Sequence, residues 1–129
     1  MTIAIGSLIF ALLLTIITKI PVAVAMAKVK GGYDNKYPRD QQAKLEGFGK
    51  RAVGAHINSI EAFPFFAAGL LTALWAQAPM ETVNTLCIAY ITARVAHAVF
   101  YWMNIDALRS LSWFAGIVSA VWLMCLALP

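Results

Sequence analysis

Charge is scarce along this chain. Lys, Arg, Asp and Glu together make up 12% of its 129 residues, against ~25% in a typical soluble domain. With 61% hydrophobic residues and a mean hydropathy of +0.75, the composition excludes a water-soluble fold and points to an integral membrane protein. Cysteine is equally sparse. Cys87 and Cys125 sit in separate apolar segments without CxxC spacing, so both read as packing residues and no metal or disulfide framework is supported. The only histidines are His56 and His97. With no haem-attachment motif, a haem bridged between them is a poor reading. Internal repeats are lacking too, which argues against a transporter built from duplicated halves. No basic residue precedes the first apolar run, Met1-Thr-Ile-Ala-Ile. That favours an uncleaved anchor with its N-terminus outside the cytoplasm. The net charge of +4 lies beside the apolar segments, so no nucleic-acid partner is expected.

What the chain does have is four apolar stretches, at about residues 2–27, 45–77, 83–103 and 109–128, in a single domain. Lys19 and Pro21 interrupt the first, and proline deep in a helix removes a hydrogen bond and kinks it. Lys19 reads as a snorkelling side chain. Pro64 is expected to bend the second stretch, which is long enough to stand beyond the hydrocarbon core at its N-terminal end. The connection 28–44 is polar. From Lys28 to Arg51 the basic residues Lys28, Lys30, Lys36, Arg39, Lys44, Lys50 and Arg51 face only Asp34, Asp40 and Glu46. The turn 78–82 has no basic residue. By the positive-inside rule the first and third loops are cytoplasmic and both termini face outward. Asp106 is expected as an N-cap or first-turn acid of the fourth helix.

Polar residues inside membrane helices are costly to retain and mark functional sites by default. The second stretch carries Arg51, Asn58 and Glu61 at helical spacings of seven and three, which projects them from one face. The third carries Tyr90, Arg94, His97 and Tyr101 at spacings of four, three and four, a second polar seam. Arg109-Ser110 opens the fourth at the same level. One reading is an internal network with Glu61 paired to Arg94. Yet Arg51, Arg94 and Arg109 outnumber that single acid, and arginine grips carboxylates in bidentate fashion. A shared crevice for an anionic ligand follows. His56 falls on another face of its helix, about 200° from Asn58.

These residues carry a resemblance. The run Arg51…Asn58-Ser-Ile-Glu61-Ala-Phe-Pro64, the run Arg94-Val-Ala-His97-Ala-Val-Phe-Tyr101, and Arg109-Ser110 together resemble the MAPEG family, the membrane-associated proteins of eicosanoid and glutathione metabolism. The bacterial branch is closest. The resemblance covers nearly the whole chain and implies an all-α membrane protein, a four-helix bundle assembled as a homotrimer. It also implies glutathione bound between neighbouring subunits near the cytoplasmic face. On that basis Arg51, Asn58, Glu61, Arg94, His97 and Tyr101 would bind glutathione, with Glu61 on its α-ammonium. Arg109 and Ser110 would stabilise the sulfur as thiolate. Two positions depart from the glutathione-using pattern. Ile57 and Gly54 stand where other members carry arginine, which removes cations from the expected site.

The function expected is that of a glutathione-dependent transferase or peroxidase in a bacterial inner membrane, acting on lipophilic small molecules drawn from the lipid bilayer. The alternatives are a non-enzymatic membrane protein that keeps the fold and its polar seams, and a small proton-coupled transporter using Glu61.

Overall fold

The computed structural model describes all 129 residues. They form six helices: α1 (Thr2–Ile17), α2 (Lys19–Ala27), α3 (Pro38–Ala43), α4 (Gly47–Trp75), α5 (Met80–Met103) and α6 (Asp106–Cys125). α1 and α2 together make one 26-residue apolar span, so the chain has four helical stretches long and apolar enough to cross a membrane. They bundle as an integral, multi-pass membrane domain. α4 lies within the expected second stretch, and α5 and α6 each begin three residues earlier than read from hydropathy. Asp106 is its first residue rather than its cap, its carboxylate accepting from Ala107 N at 2.8 Å. The connection between the first two spans is more than a polar loop. It contains the one-and-a-half-turn helix α3, started by Pro38 with its fixed φ at the first position.

The break between α1 and α2 falls at Thr18. Pro21 has no N–H for the carbonyl four residues back, at Ile17, so the helical ladder fails there. At the break the Thr18 hydroxyl donates to Leu14 O at 2.9 Å and meets His56 Nδ1 of α4 at 3.2 Å. α4, with 29 residues, is about 44 Å long at 1.5 Å per residue, longer than a hydrocarbon core of about 30 Å. Pro64 lies within it without ending it.

Packing follows membrane rules. The buried positions are mainly small, including Ala4, Ala11, Ala52, Ala55, Ala62, Ala73 and Ala120, which lets helix backbones approach closely. The larger buried side chains, Phe66, Leu70, Leu123 and Tyr90, fill the layer where α4, α5 and α6 meet. Phe66 stacks on Tyr90 at 3.9 Å between ring centroids, and Tyr90 donates its hydroxyl proton to Ala62 O at 3.0 Å. Large apolar side chains such as Ile16, Leu111, Phe114 and Trp122 point outward, as a lipid solvent permits.

Candidate functional site

The α5 seam is real and faces inward. Tyr90, Arg94 and His97 are buried at 2%, 2% and 3% exposure, and Tyr101 is half-buried one turn on. Each finds a partner on another helix. Arg94 reaches α4, where its guanidinium donates to Asn58 Oδ1 at 2.8 Å and Asn58 O at 3.2 Å. The anticipated pairing of Arg94 with Glu61 is therefore replaced by one with Asn58. Gly116 on α6 makes room for this: a Cβ there would stand 3.2 Å from Arg94 Cδ, tighter than a relaxed contact. No motif in the sequence signals Gly116.

His97 Nδ1 lies 3.0 Å from the backbone oxygen of Arg109. A carbonyl can only accept, so the proton sits on Nδ1 and Nε2 keeps its lone pair. That Nε2 is buried without a hydrogen-bond partner. A buried acceptor left unsatisfied is costly. The His97 and Tyr101 rings meet edge to face at 5.6 Å, and the Arg109 guanidinium stands over the Tyr101 ring, 4.6 Å from its centroid. Stacking on the ring face holds the guanidinium by cation–π attraction and leaves its N–H donors in the plane available.

Asn58, His97, Tyr101, Arg109, Ser110 and Trp113 line a cavity of about 240 Å³. It is not the largest hollow in the molecule, but it is the one in which the polar seams converge. No carboxylate lines it, while Arg109 does and Arg94 stands behind Asn58. Its wall is rich in donors and its field is positive. Trp113, which no motif in the sequence singles out, forms one wall.

Two of the sequence-derived residues lie elsewhere. Arg51 donates through Nε to Trp102 O at 3.2 Å, satisfying a carbonyl in the last turn of α5, where a cation also complements the helix dipole. Glu61 is exposed on the outside of α4. Asn58 and Glu61 are three positions apart, a rotation of about 300°, so they diverge by about 60° around the axis. That is enough to turn one into the cavity and the other away. The departures at 54 and 57 also resolve in space. A Cβ at Gly54 would collide with the Tyr101 hydroxyl and ring, so the phenol occupies the volume a longer residue would need. Ile57 is 40% exposed on the outer side of α4, away from the cavity. His56 faces Thr18 and the first span, on a different side of α4 from His97.

The model of the MAPEG family matches residues 3–129 of this chain. No curated protein and no solved structure matches it. The chain belongs to the MAPEG family.

Proposed function

We propose that this MAPEG protein is a glutathione-dependent transferase or peroxidase that works as a homotrimer on lipophilic electrophiles or lipid hydroperoxides. The observation that carries the reading is the cavity of Asn58, His97, Tyr101, Arg109 and Ser110, lined by donors and by no acid. Glutathione suits it chemically. Its carboxylates answer the surplus of guanidinium charge. A free thiol has a pKa near ~8.5, and a neighbouring guanidinium favours the thiolate. The position of Arg109 on the Tyr101 face, with Ser110 in the same lining, supports that role for the pair. The thiol proton leaves to water at the cavity mouth. The sulfur lone pair then forms the new bond to an electrophilic carbon as the leaving group departs with its pair. With a hydroperoxide the sulfur takes the terminal oxygen, the O–O pair leaves as an alcohol after protonation, and a second glutathione converts the sulfenic acid to disulfide and water.

At about 240 Å³ the single-chain cavity is smaller than the ~300–1,000 Å³ of ordinary ligand pockets, which supports a second wall supplied by a neighbouring copy. Glu61 supports the same reading. It is an exposed carboxylate on a spanning helix among exposed Ile57, Ile60 and Phe65, a position costly against lipid and relieved by a subunit contact. There it would meet the ligand's α-ammonium. The basic loop supports a cytoplasmic placement of that end, with both termini outward, in a bacterial inner membrane. The test is thermal unfolding of the solubilised protein titrated with glutathione and, as control, the tripeptide lacking cysteine. A saturable stabilisation of about 2.7 kcal/mol at a hundred times Kd is expected, weakened in Asn58→Ala. Conjugation should be lost in Arg109→Ala. No stabilisation at any concentration would move the chain to the non-enzymatic reading.

A further inference from the structure

The loop-side end of the first span carries two hollows that the cavity chemistry does not use. One, of about 470 Å³, is walled by Val24, Ala25, Val29, Leu45 and Phe48 and also touches Lys28, Lys44 and Glu46. The other, of about 610 Å³, is polar and includes Lys30, Lys36 and Lys44 with Asp34 and Asp40. Lys44 lines both, so an apolar hollow and a basic one adjoin.

The polar hollow has a built wall. Gln41 accepts from Asp34 N through Oε1 at 2.9 Å and donates through Nε2 to Gly32 O at 2.8 Å and Met26 O at 3.4 Å. The Asp34 carboxylate in turn accepts from Lys36 N at 2.8 Å and Tyr37 N at 2.9 Å. These bonds tie the loop to the end of α2. They commit the Asp34 carboxylate to the turn. In each hollow the lysines outnumber the acids, two to one in the first and three to two in the second, so the balance of charge is positive, with Lys36 Nζ over the Tyr37 ring at 5.4 Å.

We infer that the paired hollows bind one anionic phospholipid. Its phosphate sits among Lys28, Lys30 and Lys44, and the start of an acyl chain lies along Val24, Ala25 and Phe48. Lipid is the occupant because the apolar hollow continues the outer face of a spanning segment, where Val24, Val29 and Phe48 are 47%, 42% and 46% exposed. A soluble phosphate would gain nothing from that wall. Lysines just beyond a span also draw anionic headgroups from the facing leaflet.

The test is native mass spectrometry of the full-length protein with phosphatidylglycerol and with phosphatidylcholine of the same acyl chains. Phosphatidylglycerol should be retained preferentially. Lys28→Gln with Lys44→Gln should lower its affinity about 25-fold, roughly fivefold per lysine, and leave phosphatidylcholine unchanged. Lys44→Arg should keep the preference, and Val24→Trp, which fills the apolar hollow, should weaken retention of the lipid. Glycerol phosphate in excess should not compete. Equal retention of the two lipids overturns the inference, as does a preference that survives the double lysine variant. Displacement by glycerol phosphate would reduce the hollow to a site for free phosphate. All these side chains are at least partly exposed, and unchanged thermal unfolding of each variant separates loss of the site from loss of the fold.

Discussion

Removing the Asn58 side chain strands a buried guanidinium. Arg94 is 2% exposed and its side chain donates at 2.8 Å to Asn58 Oδ1 and at 3.2 Å to Asn58 O. In Asn58→Ala the backbone acceptor stays and the shorter, charge-assisted bond goes. Hydrogen bonds to charged groups contribute about 1.5–3 kcal/mol. Interhelical bonds inside membranes average only about 0.6 kcal/mol, because the separated helices also find partners. The full charge and near-complete burial of Arg94 put this pair toward the top of the membrane range, at about 1.5 kcal/mol of coupling. The assay is a double-mutant cycle of Asn58→Ala, Arg94→Met and their combination, read by SDS-titrated unfolding in mixed micelles. Asn58→Ala should cost more in the wild-type background than beside Arg94→Met, where no charge is left to strand. A coupling at or below about 0.6 kcal/mol would refute the claim that this bond, rather than packing alone, fixes α4 against α5.

Two further perturbations address neighbouring features. Gly54→Ala should be destabilising by about 1–3 kcal/mol through overpacking against Tyr101, with most of the loss recovered in a Tyr101→Ala background. Equal unfolding curves for Gly54→Ala and the parent would mean that the phenol does not occupy that volume. His56→Ala should cost about 1 kcal/mol for the lost contact with the Thr18 hydroxyl and should speed amide exchange around residues 18–21. Unchanged exchange there would separate His56 from the break in the first span.

Much of the site was legible before any fold. Arg94, His97 and Tyr101 announce themselves as polar residues at helical spacing in an apolar run; His97 and Tyr101 line one cavity with Asn58, Arg109 and Ser110, and Arg94 stands behind it on Asn58. Arg51 and Glu61 carry the same signal and do not line it: Glu61 is turned about 60° from Asn58, and Arg51 shares its face but stands two turns, about 10 Å, along the axis. Trp113 and Gly116 gave no signal at all. A cavity wall and a gap for a crossing side chain are properties of two helices together, and neither exists in one segment.

The sequence by itself determined the solvent, the number of spans, the basic loop and the residue types available for chemistry, since hydropathy, helical period and charge are local quantities. The tertiary structure alone decided that Arg94 takes Asn58 rather than Glu61, that His97 holds its proton on Nδ1 for the Arg109 carbonyl, and that Tyr101 fills the space over Gly54. Those outcomes depend on how each helix is rotated and how closely it approaches its neighbour. Rotation and approach are set by the sum of many small contacts across the bundle, which no single segment encodes.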